Sequence, residues 1–250
     1  MQDRVIPIQE DELRSSRYGR GGLVKEDDNY VVEEYRDRFT TTEAVIRAEP
    51  DAFPSSSGAG ALRIGRVLSH LVSRRERAAV ARLMSLVPGT VFSLDGPAGA
   101  GKMVNELRSR GAYVGLDSSW HALKVLTTVQ KGAAIQGDLM TLPIKDNCVD
   151  LFLCHRFLHR MPPSVRVHFL LEMRRVTRRW AIVYYGIGGW TQRVVMTLER
   201  TLGMGDRGTL FLCGIEDAKE ELGRSGWQVV EWAPIARWVS TGYVFFVQKN

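Results

Sequence analysis

The pattern of apolar and polar positions changes character near residue 60. Residues 1–60 keep no sustained hydrophobic period and end in the turn-like run Pro54-Ser-Ser-Ser-Gly-Ala-Gly60. From Leu62 to Val87 apolar residues recur at helical spacing (Leu62, Val67, Leu71, Val80, Leu83, Leu86). Arg63, Arg66, Arg74, Arg75, Arg77 and Arg82 supply a polar face, and Pro88-Gly89 ends the run.

Short β-prone runs then alternate with helical stretches. Strands are expected at Thr90–Asp95, Ala112–Asp117, Ala133–Asp138, Val149–His155 and Trp180–Gly186. Helices are expected around Lys102–Arg110, Ser119–Val129 and Pro163–Thr177, and near Glu216–Arg224. The segments Trp227–Ala233 and Gly242–Lys249 close the chain as two more strands. Strands separated by helices of this length predict a parallel sheet covered on both faces. The last two strands have too short a link for a helical crossover, so they are expected to pair antiparallel. The fold class is α/β: a seven-stranded, mostly parallel, Rossmann-like sheet with an antiparallel last strand. Two parts are expected, a lid-like or partly disordered extension over 1–60 and the α/β domain over 61–250.

Composition changes this picture little. The 250 residues are 44% hydrophobic, enough for a sizeable core, and no apolar run is long enough to cross a bilayer. The first twenty residues lack the apolar core of a secretory signal. Cys148, Cys154 and Cys213 lack zinc spacing and read as reduced thiols of a cytoplasmic protein. No metal site is expected. Charge is more informative. Residues 1–60 carry 8 Lys/Arg against 13 Asp/Glu, whereas 61–250 carry 26 against 15. A basic body suits an anionic partner, RNA among them, or is an arginine-rich solvated surface.

The chemistry concentrates in Leu94–Lys102, LDGPAGAGK, between a predicted strand and a predicted helix. Glycines there let backbone approach a ligand and aim helix amides at it. Two readings compete. Gly96 to Lys102 fits the P-loop pattern GxxxxGK of nucleotide kinases, but Met103 stands where a magnesium-ligating Ser/Thr is needed. Alternatively, Asp95-Gly96-Pro97-Ala98-Gly99-Ala100-Gly101 resembles the cofactor loop of class I methyltransferases. Pro97 there replaces the first glycine of the usual pattern.

Downstream residues favour the second reading. Asp117 ends the second predicted strand, where an acid accepts ribose hydroxyls. The stretch GDLMTLPIKDNCVDLFLCHRFLHRM, opening at Gly137-Asp138, resembles the pattern GDaxxLPFxDxsFDhhhxxxxLHHh of class I S-adenosylmethionine-dependent methyltransferases. That family includes the enzymes of ubiquinone and menaquinone biosynthesis. Leu142, Pro143, Asp146, Asp150, Leu158 and His159 fall in register. The resemblance covers about 75–249, with Arg178-Arg179 in place of the family's glycine-rich turn.

The resemblance implies S-adenosyl-L-methionine as cofactor and a set of contacts to it. Asp95 would lie near the methionine ammonium, with Gly96, Pro97, Gly99 and Gly101 forming the loop. Asp117, with Ser118 beside it, would bind the ribose. Asp138 would take the adenine amino group and Leu139 would stack on the ring. Cys154, His155 and Arg156 would border the methyl donor. His155 is the candidate base, and His159 is expected to pack beside the cofactor. The expected acceptor is a small molecule, lipid or glycoconjugate. RNA methylation and a non-catalytic cofactor-binding partner subunit are the alternatives.

Overall fold

The computed structural model describes residues 59–188, 211–235 and 242–250, with side chains of the first helix described from Leu71 onward. The extension expected over 1–60, with its Tyr18, Tyr30, Tyr35 and Phe39, therefore lies outside the described residues, apart from the start of helix α1 (Ala59–Met84). Trp190 and Trp238 lie outside them too.

Seven strands form one sheet: β1 (Ser93–Asp95), β2 (Tyr113–Asp117), β3 (Ala133–Gln136), β4 (Val149–Cys154), β5 (Thr177–Gly186), β6 (Trp227–Pro234) and β7 (Gly242–Lys249). The order is β3-β2-β1-β4-β5-β7-β6. β1 to β5 pair parallel, and β7 runs antiparallel between β5 and β6. The chain order reverses beside β1, and a crevice opens at the carboxyl ends of β1, β2 and β4, where doubly wound sheets bind ligands.

Alternation along the strands divides the interior into two layers. Phe152 and Cys154 of β4, Val183 and Tyr185 of β5 and Phe245 and Val247 of β7 face helices α4 (Pro163–Val176) and α5 (Ile215–Arg224). Leu151, Leu153, Ile182, Tyr184, Val244 and Phe246 face the other way, toward α1, α2 (Val104–Arg108) and α3 (Trp120–Thr128). Both faces of the central strands are buried, as parallel strands require. On α1 the buried positions are Ser73, Glu76, Val80, Leu83 and Met84, one stripe at helical spacing. Ser119 caps α3 by accepting from the Ala122 amide at 3.3 Å.

The elements depart from the sequence pattern in instructive places. α2 has only five residues; Gly101, at φ +85°, lies in the turn before it and donates its amide to the Ala98 carbonyl at 3.0 Å. β5 begins at Thr177, so Arg178-Arg179 is strand and not a turn; Thr177 pairs with Val149, and Arg178 donates to the Asn147 carbonyl at 2.8 Å. β4 stops at Cys154, which leaves His155 and Arg156 in the loop, the latter at φ +55°. Trp227 is core, at 1% exposure, and Trp232 sits on the rim.

Much of the motif that opens at Gly137 serves the connection between β3 and β4. Arg175 of α4 donates to the carbonyls of Leu142 and Ile144 and to the carboxylates of Asp146 and Glu172. Glu172 in turn accepts from the Leu142 amide at 3.0 Å. Asp150 accepts from the Phe92 amide and from Arg178, each at 2.9 Å. These groups satisfy the polar backbone of a long connection, and one helix fixes its shape.

Candidate active site

Asp95 closes β1 and is 2% exposed. Its Oδ2 faces the Tyr113 hydroxyl at 3.4 Å, and its Oδ1 is buried without a hydrogen-bond partner. Burial pushes its pKa well above the ordinary carboxylate value, the Tyr113 hydroxyl opposes that, and nearby Asp117 adds to it. A buried acid with one unsatisfied oxygen is a receptor for a cation or a strong donor.

Asp117 closes β2, equally buried. Its Oδ2 accepts the Gly99 amide at 2.8 Å and its Oδ1 the Ser119 amide at 2.9 Å. Burial raises its pKa, and the amides of Ser119, Gly99 and Ser118 lower it. Each oxygen retains a lone pair for a further donor.

Between these acids runs the loop. Gly99 has φ +53°, and a Cβ there would meet nothing within 4 Å, so the backbone borders open space. Gly101, at φ +85°, is tight instead: a Cβ would lie 2.5 Å from Leu126 Cδ1 and 2.8 Å from Val104 Cγ2. A Cβ on Gly96 would lie 3.0 Å from Phe152 and 3.3 Å from Leu139. Pro97 follows, joined through a cis peptide bond. The P-loop alternative finds no support here. Lys102 is turned to Glu76 at 2.7 Å, and Met103 is buried in the core at 1% exposure.

Past β3, Asp138 is exposed, with Oδ1 accepting the Met140 amide at 2.9 Å. Leu139 beside it is buried against Gly96 and Phe152. At the end of β4 Cys154 is fully buried, and burial pushes its thiol pKa well up, which makes it inert as a nucleophile.

His155 follows, its side chain 8% exposed, with its ring edge-on to Tyr184 at 5.4 Å. Its Nε2 lies 3.6 Å from Glu76 Oε2 and lacks a hydrogen-bond partner. Burial pushes its pKa well below the usual histidine value, helped by Lys102, Arg156 and His159. His159 flanks the same tyrosine at 5.4 Å, and burial with Arg160, Arg156 and Arg166 lowers its pKa to about 3. Both imidazoles are therefore neutral near pH 7.

Asp95, Gly99, Asp117 with Ser118, and His155 with Arg156 thus gather at the carboxyl ends of β1, β2 and β4, and Asp138 and Leu139 follow β3. Cys154 contributes core packing. The sequence pattern did not single out Glu76, although an acid on the apolar stripe that Val80, Leu83 and Val87 define was a readable signal. Nor did it single out Arg166, which sits among Phe169, Leu170 and Met173 on the buried face of α4.

Residues 94–184 match the family profile described as a methyltransferase domain. No curated protein matches the chain. Among solved structures, magnesium protoporphyrin IX methyltransferase from Synechocystis PCC 6803, with bound SAH, aligns at a TM-score of 0.66 and 16% identity, over 90% of this chain and all of that one. A SAM-dependent methyltransferase from Leishmania major aligns at 0.60 and 16% identity, over 88% of this chain and 81% of that one. One from Methanosarcina mazei aligns at 0.58 and 15%, over 67% and 96%. At such identities the likeness is one of fold. The fold is the Rossmann-like class I fold, and residues 94–184 of this chain are similar to a methyltransferase domain.

Proposed function

We propose that the protein transfers a methyl group from S-adenosylmethionine to a small-molecule, lipid or glycoconjugate acceptor. The observation that carries this reading is the unpartnered Oδ1 of Asp95, buried at the head of a glycine loop whose Gly99 backbone borders open space. A methionine ammonium supplies the cation that this carboxylate lacks. Asp117, already fixed by two amides, has lone pairs left for ribose hydroxyls. Asp138 is exposed and offers an acceptor to an adenine amino group, with Leu139 as apolar backing. The donor set fits the cofactor, and it contains no hydroxyl at position 103 to ligate magnesium.

When bound, S-adenosylmethionine supplies an electrophilic methyl group on a sulfonium. The chain's part is to fix both reactants in line and to exclude water. Alignment of this kind contributes about 7–11 kcal/mol where geometry is ideal. His155, just past β4, is kept neutral near pH 7 by burial, so its unprotonated ring nitrogen can take a proton. A base so depressed is weak, so the arrangement suits an acceptor that is already nucleophilic or that ionises readily.

A nucleic-acid acceptor has less support. Arg175 and Arg178, which the basic balance offers as an anion-binding face, are committed to Asp146, Glu172 and Asp150. Arg174 is turned to the carbonyls of Gly226 and Asn250. The acceptor class also agrees with the sequence resemblance to quinone-biosynthesis methyltransferases. The extension over 1–60, acidic where the body is basic, is proposed as a lid over the crevice.

Calorimetry with S-adenosylhomocysteine and with ATP–Mg²⁺ tests the cofactor. Binding of the first and not the second is expected, and the reverse overturns the reading. Methyl-labelled donor incubated with cell extract, then partitioned into lipid, small-molecule and RNA fractions, tests the acceptor. Label confined to RNA would refute the acceptor class.

A further inference from the structure

One carboxylate ties together the two loops that flank the crevice, and it comes from outside residues 94–184. Glu76 lies on the buried stripe of α1, fully excluded from solvent. Its Oε2 accepts from Lys102 Nζ at 2.7 Å, just past the last glycine of the loop after β1. Its Oε1 accepts from Arg156, with Nε at 2.8 Å and Nη2 at 2.7 Å, in the loop after β4. His155 Nε2 stands 3.6 Å from Oε2. Arg156 holds φ +55°, which is uncommon for a non-glycine residue. Glu76 grips the Arg156 guanidinium through two nitrogens.

We propose that Glu76 is a positioning residue of the crevice: from α1 it holds Lys102 and Arg156 together, and so sets the separation of the cofactor loop from His155. Without its charge the Lys102 ammonium and the Arg156 guanidinium lose the anion they share. They repel, Arg156 loses the partner that grips its side chain, and His155 moves with it. A buried ion pair of this kind is a weak device for stability, since desolvation offsets most of its attraction, but it defines one geometry. The proposal rests on the crevice being a cofactor site, although its first test does not.

That first test uses hydrogen exchange on the ligand-free full-length protein. In Glu76→Gln, amides of 99–104 and of 153–157 should exchange faster together, while β5 and β7 keep their protection. Acceleration of neither loop, or of one alone, overturns the proposal.

The second test is S-adenosylhomocysteine affinity by calorimetry in Glu76→Gln, Arg156→Gln and the double variant. Loss of charged hydrogen bonds of this type corresponds to about tenfold or more in affinity. Glu76→Gln should weaken binding by that factor, Glu76→Asp should restore only part of it, and the double variant should bind no worse than the poorer single one. Tighter binding in Glu76→Gln would make the residue a competing counter-ion and overturn the proposal. A lowered melting temperature with unchanged affinity would make it structural only, and would overturn it as well. Wild-type protein that fails to bind S-adenosylhomocysteine would refute the cofactor assignment, leaving the exchange result to decide the role of Glu76.

Discussion

The Gly99 amide donates to Asp117 Oδ2 at 2.8 Å, so the loop after β1 and the end of β2 are joined by the same carboxylate that is assigned to the ribose. This bond spans eighteen positions of sequence and closes the crevice from below. Asp117→Ala should therefore act twice: it removes an acceptor for the ligand and frees the glycine loop. Charged hydrogen bonds contribute about 1.5–3 kcal/mol each, so S-adenosylhomocysteine affinity should fall by roughly 10–150-fold. Titration calorimetry checks this. A folded Asp117→Ala protein with native affinity would place the ribose elsewhere.

Gly99 and Gly101 should answer differently to the same alanine substitution. At Gly101 the methyl group meets Leu126 and Val104 inside 3 Å, both fully buried, and φ is +85°. Strain and overpacking together should cost Gly101→Ala about 2–4 kcal/mol of stability. At Gly99 the methyl enters open space, so only the left-handed backbone resists, at about 1–2 kcal/mol. The Gly99 methyl points into the ligand's place, however, and binding should suffer more than folding. Urea denaturation beside calorimetry separates the two, and equal stability losses would contradict the geometry.

Arg166 is wholly buried and donates from Nε to Glu221 Oε1 at 2.8 Å and from Nη1 to the Phe211 carbonyl at 3.0 Å. It thereby ties the segment that opens at Phe211 to α4. Burial pushes the Glu221 pKa up, against the pull of Arg166. Arg166→Met leaves that carboxyl without a partner and should cost about 3–5 kcal/mol. The double variant Arg166→Met/Glu221→Leu should recover most of the loss, because it removes both desolvated charges. Denaturant midpoints decide, and a double variant as unstable as the single one would show that the pair does more than compensate its own burial.

Elements and chemistry were legible to different extents, for physical reasons. Strands such as Val149–Cys154 announce themselves because both faces are largely buried and the run is apolar apart from Asp150. Asp95 and Asp117 close β1 and β2 as expected, because the parallel sheet puts every carboxyl end on one side, whereas β3 stops at Gln136 and leaves Asp138 two residues beyond it. Local pattern does not encode pairing at a distance. Arg175 and Arg178 read as a solvated basic face, yet their partners are Asp146 and Asp150 across the β4 connection. Glu76 contacts residues 26 and 80 positions away, and only the packing of α1 on the sheet brings them together. Cys154, expected beside the methyl donor, lies in the core layer with Phe152, where alternation along β4 puts it.

The paired histidines around Tyr184 give the protein a pH dependence whose sign follows from burial. The His159 pKa is lowered to about 3, against an ordinary value of 6.5. Between those values the unfolded chain binds a proton at this residue and the native state does not. Stability from neutral His159 is thus fully present above pH 6.5 and is lost as pH falls toward 3, with a slope approaching about 1.4 kcal/mol per pH unit. His155, lowered in the same direction, adds a parallel loss. Asp95 and Asp117, whose pKa values burial raises, act oppositely, since the native state there binds protons more readily than the unfolded chain. Wild-type stability alone mixes these effects, so the measurement is the difference between wild type and His159→Asn in urea at pH 7.5, 6, 5 and 4. Stability lost by the wild type relative to the variant should grow steadily below about pH 6. A difference that stays constant across that range would mean His159 titrates as it does in the unfolded chain, and that its ring is not held neutral beside Tyr184.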